Sequence, residues 1–254
     1  MTYASPVRGR VPAILVTPTV AGAHPAVVYL HWGFGNESEF KDEALALAHH
    51  NVISLLVSAP WARPDPWKHA GEGHFTQPSA DIDLYRQTVA DVREGIDLLV
   101  ARSDVDAGAI GFVGHSYGAT WGGVVLGTDA RVRAGVLIAG LPTISDFSAP
   151  FAAGAYMLED YNRQVFGAFS TAKIAAYAAA LAPYAPQRWV RNSRAAILFQ
   201  FAGQDQFISA YAAREYAAAV PEAEVKNYPC AEHRLSVPQA QADRIAFLAQ
   251  HLHF

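Results

Sequence analysis

Short apolar runs alternate with longer stretches of three-to-four periodicity along the whole chain. The segments PAVVYLHWG (25–33), NVISLLVSAP (51–60), AGAIGFVGHS (107–116), RAGVLIAGLP (133–142) and RAAILFQFAG (194–203) each predict a buried strand, and EAEVKNYP (222–229) predicts a last one. The five longer runs lack the polar alternation of a half-exposed strand. Both faces of the sheet are therefore expected to be covered, as in a parallel sheet between helices. The clearest helix is predicted over 81–102, where Ile82, Tyr85, Val89, Val92, Ile96 and Leu99 form one stripe and Ser79 stands where an N-cap belongs. Strand–helix alternation of this kind argues for an α/β fold, a mostly parallel central sheet with helices on both faces.

Two segments break the rhythm. Residues 60–80 carry four prolines and two glycines and no helical period, and a loop this long is more often functional than idle. Residues 142–193 are longer than a simple crossover helix requires. They are rich in aromatics: Phe147, Phe151, Tyr156, Tyr161, Phe166, Phe169, Tyr177, Tyr184 and Trp189. The expectation is one or more helices over the strand ends, forming a modest cap. The alternative is an elaborated crossover whose aromatics pack on the core. No repeat or linker divides the chain, so residues 1–254 are expected to form a single domain.

Composition narrows the class. The chain has 254 residues, of which 52% are hydrophobic and 17% charged, a balance that excludes intrinsic disorder. A formal net charge of −4 advertises neither nucleic acid nor an anionic membrane as partner. Neither a signal-peptide h-region nor a membrane-length apolar run is present, and Cys230 is the only cysteine. A cytoplasmic protein, monomer or homodimer, is expected.

Candidate chemistry concentrates in GFVGHSYGAT (111–120), which contains Gly114-His115-Ser116-Tyr117-Gly118, a G-x-S-x-G between a predicted strand and helix. In that setting a serine stands on a sharp, strained turn with its hydroxyl presented above the sheet. Glycine at the flanking positions relieves collisions across the turn, and the following helix N-terminus favours a developing oxyanion. A serine nucleophile needs a base and a group to orient that base. Asp205 follows the strand in FQFAGQDQF, and His233 follows EAEVKNYP, so the chain order is Ser116, Asp205, His233. Glu232 is the rival carboxylate, but it adjoins the base and is expected to point elsewhere. Oxyanion N–H donors are expected from Tyr117 and from the loop after VVYLHWG, with Gly33 first and Trp32 or Phe34 as alternatives. His31 either braces that loop or is a core histidine.

These stretches resemble the α/β-hydrolase superfamily, more narrowly its dienelactone-hydrolase-like and prolyl-oligopeptidase-like serine esterase branches. The resemblance spans nearly the whole chain through VVYLHWGFG, SADIDLYRQTVADVREGIDLLVARSDVDAGAIGFVGHSYGA, FQFAGQDQF and YPCAEHRLS. It implies the α/β-hydrolase fold, with an oxyanion loop at Gly33, a nucleophile at Ser116, a second oxyanion donor at Tyr117, an acid at Asp205 and a base at His233. Dienelactone hydrolases carry a cysteine at the elbow. Ser116 stands there instead, which argues against dienelactone as substrate.

The expected activity is hydrolysis of a small, short-chain and in some cases aromatic carboxylic ester through an acyl-enzyme, with no cofactor. Thioesters, lactones or small peptides are the alternatives using the same triad, and a non-catalytic ligand-binding module is the alternative from another class. Trp32, Phe34, Trp61 and Trp121 are candidate substrate-binding residues near strand ends, with Trp67 and Tyr117 beside them. Arg63 is a candidate for holding a substrate carboxylate. His49, His50, His69 and His74 lack the spacing of a metal site, so no metal is expected.

Overall fold

A computed structural model describes residues 1–70, 77–146, 152–167 and 169–254; His74, Phe147, Phe151 and the side chain of Phe166 lie outside the described residues. Eight strands form one sheet: β1 (Thr2–Ala4), β2 (Arg10–Val16), β3 (His24–Leu30), β4 (Ile53–Val57), β5 (Val105–His115), β6 (Val132–Ile138), β7 (Ala196–Ala202) and β8 (Glu224–Tyr228). Their spatial order is β1-β2-β4-β3-β5-β6-β7-β8. The contacts from β4 through β8 are parallel, and β1 and β2 are antiparallel additions at one edge.

The described helices are α1 (Lys41–Ala48), α2 (Pro78–Val100), α3 (Tyr117–Thr128), α4 (Tyr156–Phe166), α5 (Thr171–Leu181), α6 (Pro186–Val190), α7 (Ala210–Ala218) and α8 (Pro238–Leu252). Successive strand residues point to opposite faces. Val28, Leu30, Leu55 and Phe112 thus join one core with α2, α3, α5 and α6, while Val27, Tyr29, Leu56 and Val113 join a second with α1 and α8. Two apolar layers explain why the central strands read as unbroken apolar runs.

Two local features depart from the expectations, and a third region takes the helical form expected of it. The antiparallel strands β1 and β2 were not anticipated: Arg10 and Pro12 interrupt the apolar run, and β2 is only half-buried. Ser79 does not cap α2. The helix begins at Pro78, whose fixed φ and missing N–H suit the first helical position, and it has no side-chain cap. Between β6 and β7 the chain forms α4, α5, a 3-10 turn and α6. Its aromatics divide: Tyr177 is buried in the core, whereas Tyr156 and Tyr161 are exposed.

Candidate active site

All the chemistry-bearing groups arise just beyond the C-terminal ends of parallel strands, where ligands bind in sheets of this kind. Ser116 directly follows β5 and precedes α3, with φ 52° and ψ −106°, a conformation costly for any residue with a side chain. Its N–H donates to the Ile138 carbonyl at 2.7 Å, and its carbonyl accepts from Thr120 N–H at 2.8 Å and from the Thr120 hydroxyl at 2.9 Å. Both flanking glycines are required by contact. A Cβ on Gly114 would lie 2.3 Å from the Gly118 carbonyl oxygen, and one on Gly118 would lie 2.0 Å from the Leu30 carbonyl oxygen. The second contact shows that the elbow is pressed against the β3 end as well as folded on itself.

The structure brings Ser116, Asp205 and His233 together. His233 Nε2 is 2.8 Å from Ser116 Oγ, and its Nδ1 is 2.9 Å from both carboxylate oxygens of Asp205. Asp205 Oδ1 also accepts from the N–H groups of Phe207 and Ile208, at 2.8 and 2.9 Å. With Asp205 accepting at Nδ1, the Nε2 lone pair of a neutral His233 faces the serine hydroxyl. His233 and Asp205 are both buried, while Glu232 is exposed. Gln206, which no sequence motif marks, ties the neighbouring segments. Its backbone carbonyl accepts from Met157 N–H at 2.8 Å, and its side chain accepts from His233 N–H at 3.4 Å.

The loop after β3 is rigidly tied. His31 is buried; its Nε2 accepts from Ala59 N–H at 3.0 Å, and its Nδ1 donates to the Trp32 carbonyl at 2.8 Å. Burial pushes the His31 imidazole below its usual range, against an opposing pull from the Trp32 carbonyl and nearby carboxylates. His31 therefore braces this loop. Trp32 N–H donates to Glu39 Oε2 at 2.8 Å, so that amide is already engaged. Gly118 N–H donates to the His31 carbonyl at 3.2 Å, joining loop to elbow.

Of the predicted aromatics, Trp32 and Phe34 pack on the His233 side of the β3 loop, and Trp61 and Tyr117 pack together beside the elbow. The Trp32 ring lies 6.2 Å from that of His233, Phe34 packs edge-on to Trp32 and is 74% exposed, and Trp61 packs edge-on against both His31 and Tyr117. Phe207, 4.7 Å from His233, and Arg234, over the Trp32 ring at 4.7 Å, complete this rim; neither was anticipated. Trp121 is a correction. It points inward from α3, stacks on Tyr85 at 4.0 Å and is buried in the core rather than on the site surface. Trp67 packs instead against Gly9 in the β1–β2 turn.

Arg63 is also corrected. It is buried, paired with Asp91 at 2.5 Å and donating to the Ser58 carbonyl, because an inward-facing carboxylate on α2 demands a cation. His49 and His50 are exposed at the end of α1. Among the described residues no group of three or more His, Cys, Asp or Glu could hold a metal ion, and no helix is long and apolar enough to cross a membrane.

A mostly parallel eight-stranded sheet with a strained serine elbow after its central strand defines an α/β-hydrolase architecture. The alpha/beta hydrolase family profile matches residues 21–246, and the chain belongs to that family. No curated protein matches it by sequence. Among solved structures it is similar to an acetyl xylan esterase from Paenibacillus sp. R4, with TM-score 0.81, 18% identity, and coverage of 99% of this chain and 83% of that one. Acetyl xylan esterase 1 from Thermoanaerobacterium sp. JW/SL YS485 gives 0.76, 17%, 95% and 79%. A candidate dienelactone hydrolase from Klebsiella pneumoniae gives 0.67, 18%, 98% and 98%. At such identities the likeness is one of fold.

Proposed function

We propose that the chain hydrolyses carboxylic esters through an acyl-enzyme on Ser116. The observation that carries this reading is the unbroken relay from Ser116 Oγ through His233 to Asp205 on a strained elbow. In the proposed reaction Ser116 Oγ attacks the ester carbonyl as His233 Nε2 takes its proton. Asp205 holds the ring and stabilises its charged form. Collapse of the tetrahedral intermediate returns the proton to the departing alkoxide, and water repeats the sequence to free the acid and the serine. Tyr117 N–H and Gly33 N–H are the proposed oxyanion donors, each worth about 3 kcal/mol. Gly33 is favoured over Trp32 because the Trp32 amide is held by Glu39.

The aromatic rim of Trp32, Phe34, Trp61 and Phe207 supports an apolar or aromatic acyl or alcohol group. The fold likeness to acetyl xylan esterases favours a short acyl chain. A fluorophosphonate probe is expected to label the protein stoichiometrically and to fail on Ser116→Ala. That variant should lose at least about 10³-fold in kcat/KM on p-nitrophenyl esters. The wild type should prefer acetyl to butyryl over long acyl chains. Full activity in Ser116→Ala would overturn the nucleophile, and a long-chain optimum would overturn the substrate class.

A further inference from the structure

We propose that Glu39 and His115 form a positioning pair, bound by one shared proton, that locks the oxyanion loop to the loop carrying the general base. This rests on reading Ser116, His233 and Asp205 as the catalytic relay. Neither residue touches the reacting atoms in that scheme, yet between them they contact both halves of the site. Glu39 Oε2 accepts from Trp32 N–H at 2.8 Å, while Oε1 lies 2.5 Å from His115 Nδ1. The other ring nitrogen, Nε2, lies 3.0 Å from the His233 backbone carbonyl. The Trp32 ring stacks on His115 at 5.8 Å and 13°, which closes the assembly from the loop side. Both side chains are largely shielded, His115 at 3% exposure and Glu39 at 19%.

Hydrogen-bond arithmetic gives this pair its character. Both nitrogens of His115 face acceptors, a carboxylate and a carbonyl, whereas a neutral imidazole has a single N–H. The contacts are satisfied only when the pair holds one proton more than a carboxylate plus a neutral ring. With that proton the backbone of His233, the residue proposed to serve as base, is anchored to the amide of Trp32, which precedes the proposed oxyanion donor. Without it one of the bonds is lost and the two loops are free to shift apart. Other charged or titratable groups surround the pair: His31 from the β3 loop, Asp42 and Glu43 from α1, Arg234 from the β8 loop and Arg244 from α8 in the cavity that Glu39 lines, and His233 packed on His115 with Asp205 behind it. A misplacement of about 1 Å between base and oxyanion donor is enough to cost on the order of 10²-fold in rate. The pair is thus a positioning device whose three contacts are all made only while it holds that proton.

Kinetics of the full chain on a short-chain p-nitrophenyl ester over roughly pH 6 to 10 test this. Glu39→Ala removes the anchor of both loops and is expected to lower kcat about 10- to 100-fold with KM within about threefold. Glu39→Gln is the decisive variant. Its amide donates to Nδ1 of a neutral His115, its oxygen accepts from Trp32, and His115 Nε2–H still donates to His233, so all three bonds persist without a titrating proton. It should recover most of the activity lost in Glu39→Ala near neutral pH and carry its activity to higher pH than the wild type. Wild-type kcat in a folded Glu39→Ala, no recovery in Glu39→Gln, or a Glu39→Gln pH profile superimposing on the wild type would overturn the proposal. Should Glu39→Ala not fold, the Glu39→Gln profile alone decides. Ser116→Ala keeps the two readings apart: if it retains activity the relay itself fails, and if it alone is inactive only the positioning pair fails.

Discussion

Ser116 is held in a left-handed conformation by its surroundings. Its amide is bonded to β6, and Gly118 brings the start of α3 within a Cβ radius of the Leu30 carbonyl. Because the obstructing atom is backbone, Gly118→Ala cannot be absorbed by a rotamer change. It should cost at least the ~1–3 kcal/mol of an overpacked core and abolish fluorophosphonate labelling. Gly33 provides the contrast, since a Cβ there would meet nothing within 4 Å. Gly33→Ala should leave stability within about 0.5 kcal/mol in urea unfolding. Equal destabilisation by the two substitutions would show that glycine content, and not the close approach at the elbow, governs this region.

At the scale of elements, the segment between β6 and β7 is fastened to the body through α5 and α2. Tyr177 on α5 donates its buried hydroxyl to Asp81 on α2 at 2.6 Å. Tyr177→Phe weakens the hold on a buried carboxylate and should cost about 1–3 kcal/mol in urea unfolding. A change below about 0.5 kcal/mol would mean that the aromatic ring alone docks α5. Which elements were legible in the sequence follows from the same physics. Strands β3 to β7 were read from their apolar runs because both faces are covered, and α2 from its stripe. Strands β1 and β2 were missed because they are half-buried, short or interrupted by Pro12. The elbow and the order of Ser116, Asp205 and His233 were legible because local backbone demands leave a motif. Glu39 and His115 were not: a hydrogen bond spanning 76 residues has no local signature, and His115 is hidden inside the motif as an unspecified position. Trp121 was assigned to the site because it lies near a strand end, but proximity along the chain does not say which way a helix turns its side chain.

For the whole molecule, the pH dependence of folding follows from groups whose proton affinity changes on burial. Burial holds His31 below the ordinary histidine value of about 6.5, so the unfolded chain binds this proton more readily than the folded one. Its contribution to stability is present above that value and is lost as pH falls below it. Asp91 acts in the opposite sense. Burial raises its carboxyl despite the opposing pull of Arg63, so its contribution is present at low pH and is lost as pH rises through its raised folded value. Burial pushes the Asp129 carboxyl up, but its bonds to Arg131 outweigh that and hold it below the usual range. Its contribution is present at neutral pH and is lost only in stronger acid. The acid slope just below pH 6.5 should therefore come from His31. Tm measured on both sides of that value should fall with acidity in the wild type. His31→Gln should start lower, because the Ala59–Trp32 brace is perturbed, and its Tm should change little over the same interval. A wild-type slope retained in His31→Gln would place the proton uptake elsewhere and remove His31 as the link between acidity and the oxyanion loop.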